Sequence, residues 1–152
     1  MSAHAAIRKQ VLAALHACEE KKAQEISVLE LEKGSGAFTD YFLICSGANP
    51  RQIQTIADSV QERLKILGLH LAHAEGYKQA DWVLLDYVDF VVHIFSEQAR
   101  KFYDLERLWR SAQKITPRDL ESRRTAKSKS GVRPARRSAT SKSSKSPRRK
   151  KA

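Results

Sequence analysis

The sequence predicts one α/β domain: a mixed sheet of about five strands flanked by about three helices, in the order α-β-β-α-β-β-β-α, followed by a disordered basic tail. Three observations carry this. The 152 residues suffice for one compact core and not comfortably for two. Apolar residues recur with helical period in three places, and in short runs or alternation between them. Aromatic residues and charge also divide the chain at the same point. All eleven aromatics lie between Phe38 and Trp109. Through Arg110 there are 13 Lys/Arg against 15 Asp/Glu, a balance of −2; from Ser111 onward there are 15 against 2, a balance of +13. The high pI therefore belongs to an appended segment, and the body is mildly acidic. A charged segment without aromatics buries too little apolar surface to offset its ordering entropy. Residues 1–113 are expected to fold and residues 114–152, a Lys/Arg/Ser-rich stretch of low complexity, to stay disordered.

From Ala3 to about Lys22, Ile7, Val11, Ala14, Leu15 and Cys18 form one helical stripe, which the polar Glu19–Lys22 ends. Glu25–Glu32 leans to a strand, with Ser27, Leu29 and Leu31 on one face and Ile26, Val28, Glu30 and Glu32 on the other. Lys33–Phe38, with Gly34 and Gly36, reads as a loop. Tyr41–Cys45 (YFLIC) is a continuous apolar run, as in a strand buried on both faces. Ser46–Pro50 is a turn in which Asn49 suits a helix N-cap and Pro50 the first helical position.

The helix that follows runs to about Leu67 on a stripe of Ile53, Ile56, Ala57, Val60, Leu64 and Leu67, and Gly68 stops it. Leu69–Ala74 reads as a further strand. Trp82–Leu85 and Phe90–Phe95, joined by Asp86–Asp89, form a β-hairpin. Ser96 caps a last helix that places Phe102, Leu105, Trp109 and Ala112 toward the core, and Pro117 argues against its continuing far.

Catalytic signatures are scarce. No GxGxxG, Walker A, GxSxG or HExxH motif occurs. Paired carboxylates on one strand face occur only as Glu30 and Glu32, which read as exposed acids at a strand end rather than as a metal pair. Asp86 and Asp89 fit hydrogen bonding to turn amides. His70 and His73 would face opposite sides of a strand, and His93 fits a hydrogen-bonded core histidine. Cys18 and Cys45 have no metal or disulfide-framework spacing and read as buried reduced thiols. No metal or cofactor is expected. With no long apolar run and no leader pattern, the chain is expected to be cytoplasmic and away from membranes.

Thr39–Gln52 (TDYFLICSGANPRQ), Ile56–Asp58 (IAD), Glu75–Gly76, Ala80–Asp89 (ADWVLLDYVD), Phe90–Phe95 (FVVHIF) and Arg100–Trp109 (RKFYDLERLW) together resemble the Iojap-like ribosomal silencing factors. The likeness covers roughly Ile7 to Trp109, in order, with the basic tail an extension beyond it. It departs from the family at Val88, where a glycine is usual before the hairpin aspartate, and valine is disfavoured at positive φ. The resemblance implies a nucleotidyltransferase-like fold without catalytic carboxylates. It also implies a function as a binder: docking on ribosomal protein uL-fourteen of the large ribosomal subunit, obstructing small-subunit joining and repressing translation. A nucleotidyltransferase-like enzyme and a ribosome-assembly or RNA-binding factor are the alternatives.

The candidate partner-binding residues are Asp81, Trp82, Asp86, Asp89, Arg100, Tyr103 and Glu106. Trp82 opens a strand where a large aromatic serves either core or interface. Tyr103 and Glu106 fall off the core stripe of the last helix, and the three aspartates suit a basic ribosomal protein better than RNA. Asp40, Ser46 and Arg51 match the family motif but equally fit turn and cap chemistry. In the tail, Arg123, Arg124, Lys127, Lys129, Arg133, Arg136, Arg137, Arg148, Arg149, Lys150 and Lys151 fit contacts to ribosomal RNA phosphates rather than base stacking. A homodimer of the free protein is a further expectation.

Overall fold

The computed structural model describes residues 3–32 and 38–121. Helix α1 (Ala3–Glu20) leads into β1 (Gln24–Glu30) and β2 (Tyr41–Gly47). Helix α2 (Pro50–Ile66) then precedes β3 (His73–Glu75), β4 (Trp82–Asp86) and β5 (Phe90–Ser96). Helices α3 (Glu97–Tyr103) and α4 (Leu105–Leu108) follow, then β6 (Gln113–Ile115) and a helical segment over 117–121. The strands form one mixed sheet in the order β3-β4-β5-β2-β1-β6. Only β2 and β5 run parallel, with Tyr41 opposite Phe90 and Gly47 opposite Ser96; α2 lies in the long connection that a parallel pair requires.

The expected α/β architecture is present, and its central elements follow the sequence pattern. All seven residues of β2 are buried: the apolar run Tyr41–Cys45 as expected, and Ser46 and Gly47, which the sequence placed in the turn, as its continuation. Asn49 caps α2, its side chain accepting from the Gln52 N–H at 2.8 Å, and Pro50 occupies the first turn. Pleating divides the sheet into two faces. Val28, Tyr41, Leu43, Cys45, Val83, Leu85, Phe90, Val92 and Ile94 join the apolar stripes of α1 and α2 in one core. Leu29, Leu31, Phe42, Ile44, Val91 and Phe95 point the other way, toward Ala99 of α3 and Leu105 of α4.

The structure corrects five expectations. The sheet has six strands, not five, because Gln113–Ile115 pairs antiparallel with β1. Three residues with one buried side chain are too short to show a period. The packed body also runs past the boundary expected at residue 113. Ile115 and Leu120 are both buried in the α1–α2 core, and Thr116 and Asp119 cap the segment over 117–121 reciprocally. The strand expected over Leu69–Ala74 is confined to His73–Glu75, while Leu69 and Leu71 pack on the core without joining the ladder. Leu67, beyond the last turn of α2, is exposed rather than part of the stripe. The last helix is broken at Asp104, whose left-handed φ of 46° separates α3 from α4. The break turns Phe102 outward to 80 % exposure, although Leu105 does reach the core.

Candidate docking surface

The two faces of the sheet are covered unequally, and Trp82, Arg100, Tyr103 and Glu106 are found on the face covered by the short helices α3 and α4. Trp82 starts β4 opposite Phe95 of β5. Its indole is half-buried, stacked on the Phe95 ring at a centroid separation of 5.0 Å and lying 4.6 Å from the ring of Tyr103. Tyr103 in turn meets Phe102 edge-on at 5.0 Å. The row Trp82–Tyr103–Phe102 thus climbs from the sheet to solvent at the end of α3. Tyr103 is 46 % exposed, and Leu108 on α4 adds a further exposed apolar side chain.

Beneath this row, the Trp82 Nε1–H donates to His93 Nδ1 at 3.1 Å. That bond requires an unprotonated Nδ1, so the neutral ring carries its proton on Nε2. Burial pushes the His93 pKa down to about 4. His93 is therefore the core histidine that the sequence indicated, and it also holds the Trp82 indole in place. Nothing in the sequence revealed that pairing, because Trp82 and His93 lie on different strands.

Arg100 and Glu106 form a clasp. Arg100 Nε and Nη2 donate to the two Glu106 oxygens at 3.1 and 3.0 Å, a bidentate pair. Arg100 Nη1 donates to Ser46 Oγ at 2.9 Å, and Ser27 Oγ donates to Glu106 Oε2 at 2.8 Å. Burial acts to raise the Glu106 carboxyl, but the Arg100 guanidinium and the Ser27 hydroxyl outweigh it and hold the group below its ordinary range. The clasp ties α3 and α4 to the middle of β1 and the end of β2. Three of the Arg100 N–H groups and both Glu106 oxygens are engaged inside the protein.

The three aspartates separate. Asp81 adjoins Trp82 and accepts from Ser96 Oγ at 2.6 Å, which couples the start of β4 to the cap of α3. Asp86 and Asp89 sit at the far end of the hairpin, roughly 13 Å along the strand from Trp82 by strand rise. Asp86 Oδ1 accepts from the Val88 N–H at 2.8 Å, and the Asp89 N–H donates to the Tyr87 carbonyl at 2.8 Å. Val88 thus centres a γ-turn with φ of 74°. The valine thus occupies a positive-φ geometry that glycine adopts without strain. Asp86 and Asp89 consequently do not share a patch with Trp82 and Tyr103. The tail cations from Arg123 to Lys151 lie outside the described residues.

Phe102 is the surface residue that sequence reasoning misplaced. Its spacing of three from Leu105 put it on a core stripe, and no glycine or proline marked the break at Asp104. Among the described residues, no group of three or more His, Cys, Asp or Glu side chains stands close enough to hold a metal ion. No helix among them is long and apolar enough to cross a membrane.

The chain matches the family described as "Ribosomal silencing factor during starvation" over residues 4–149. The match extends into the basic segment that the sequence had set outside the family domain. A Bacillus subtilis protein named ribosomal silencing factor RsfS is 41 % identical over 96 residues, covering 63 % of this chain and 80 % of the relative. A protein of the same name from Halalkalibacterium halodurans is 40 % identical over 99 residues, covering 65 % and 84 %. The crystal structure of a Chromobacterium violaceum protein superposes with a TM-score of 0.66 at 32 % identity, covering 76 % of this chain and 92 % of that one. With its six-stranded sheet, its order of elements and a family match along almost its whole length, this chain belongs to the ribosomal silencing factors.

Proposed function

We propose that the protein docks through the Trp82–Tyr103–Phe102 row on ribosomal protein uL-fourteen of the large ribosomal subunit. Bound there, it excludes the small subunit by bulk and so represses translation in the cytoplasm. The observation that carries this reading is the aromatic row itself: a half-buried tryptophan, braced by His93 and Phe95, continued by a tyrosine and a phenylalanine increasingly open to water. Rigid aromatics bordered by polar groups are the anchors that protein interfaces use, and Asp81 supplies a polar rim suited to a basic partner. The Arg100–Glu106 clasp pre-orders the row and lowers the entropy lost on binding. The mechanism is occupancy, with no bond made or broken. In the same reading, the basic tail lies along ribosomal RNA and raises local concentration at the docking site. A homodimer of the free protein would compete for the same open face.

Sedimentation with purified subunits tests the proposal. The protein should travel with large subunits and not with small ones, and should suppress joining when both are mixed. Tyr103→Ala, with unchanged circular dichroism, should lose roughly tenfold or more in large-subunit affinity. A folded Tyr103→Ala protein that binds and blocks joining like the parent rules out this face.

A further inference from the structure

We propose a second interaction surface, on the opposite side of the sheet: the cleft between α1 and the helical segment 117–121 takes phosphate groups of an RNA backbone, with Arg8 as its buried anchor and Lys9 at its rim. Ala5, Arg8, Lys9 and Leu12 stand at spacings of three and four on α1, so they share one helix face. That face meets Leu120 and Glu121 across a cleft of about 330 Å³. Arg8 is only 5 % exposed, and its Nε has no hydrogen-bond partner. Among the described residues no carboxylate pairs with it; Glu121 lines the same cleft without forming an ion pair. A guanidinium withdrawn from water without a counter-charge is unfavourable, and an oxyanion is the ligand that removes the penalty. Its planar fork matches two oxygens of a phosphate.

The position of the cleft in the chain selects a polyanion over a small carboxylate. The described body ends at Glu121, and Arg123 and Arg124 follow two and three residues later. Residues 122–152 hold 13 Lys/Arg and no Asp or Glu. The cleft is therefore where a long run of cations joins the folded body. It contains no aromatic side chain, so it suits phosphates rather than stacked bases. This surface is distinct from the aromatic row, and its test needs no ribosomal protein.

The test uses the full chain and a labelled single-stranded oligouridylate, with affinity measured against salt. Arg8→Met should fold, melt no lower than the parent without ligand, bind RNA about tenfold more weakly, and flatten the slope of log K against log salt by about one. Lys9→Glu, at an exposed position, gives a check independent of Arg8 and should weaken binding in the same direction. The proposal is overturned if both variants bind RNA with the parent's affinity and slope, or if Arg8→Met melts lower while binding RNA normally, which would make Arg8 structural. Inorganic phosphate forms a separate arm. If it raises the melting temperature through Arg8 while RNA affinity ignores Arg8, the ligand is a free phosphate and the assignment to RNA fails.

Discussion

The two faces of the sheet are built from the same strands and are covered differently. Toward α1 and α2, aliphatic side chains such as Leu43, Ile53, Ile56 and Val60 are fully buried under long helices. Toward α3 and α4, the cover is two short helices with a left-handed break, and the aromatics Phe42, Phe95, Trp82 and Trp109 lie beneath among aliphatics such as Leu29, Ile44 and Val91. Aliphatic interdigitation fills space and holds the fold. Aromatic rings with a hydrogen-bonding edge tolerate partial exposure and recognise partners. On the proposed docking mode, stability and recognition are divided by the pleat of β2, β4 and β5, rather than by separate domains.

The comparison can be broken most severely on the sealed face. Ile56→Ala should cost about 3–4 kcal/mol in urea unfolding. A loss as small as that of a surface truncation would mean α2 is not the main cover. Next comes acid. His93 is neutral and buried, with its pKa pushed down to about 4, whereas an unfolded histidine titrates near 6.5. Below about pH 6.5 the unfolded chain gains a proton that the folded chain excludes, so stability falls as pH falls, by about 2 kcal/mol between pH 7 and 5. Glu106, held below its ordinary range, acts only at more acid pH. His93→Gln should abolish most of the loss between pH 7 and 5, and equal losses in parent and variant would show that the aromatic face is wetter than described.

A third change separates binding from stability. Phe102→Ala should shift unfolding by less than about 0.5 kcal/mol while weakening large-subunit binding about tenfold in sedimentation. The smallest effect lies at the hairpin tip, outside both faces. Val88→Gly should stabilise by about 1 kcal/mol by relieving the positive φ, with binding unchanged. A destabilised variant would mean the γ-turn carries no strain.

The sealed face was the legible part. Its stripes on α1 and α2, the buried run of β2 and the Asn49–Pro50 cap all rest on local periodicity and capping chemistry, which sequence displays directly. The open face was legible only in its parts list. Trp82, Tyr103, Arg100 and Glu106 could be nominated, but the role of each depends on partners far along the chain: Ser46 for Arg100, Ser27 for Glu106, His93 for Trp82. Long-range pairs leave no periodic trace. The break at Asp104 was hidden for a different reason, since a left-handed aspartate carries no glycine or proline to announce it. β6 escaped because three residues are too few to pattern.

Both margins of the sheet end in a strand of three residues, β3 (His73–Glu75) on one side and β6 (Gln113–Ile115) on the other. The β3 margin is exposed along its length and carries the His73–Glu75 contact at 2.7 Å, while β6 shields only the Val28–Glu30 end of β1. Stubby, charged borders of this kind give a neighbouring chain little backbone to zip onto. Strand addition is therefore disfavoured at both margins, even though Phe102 and Leu108 stand open to water on one face.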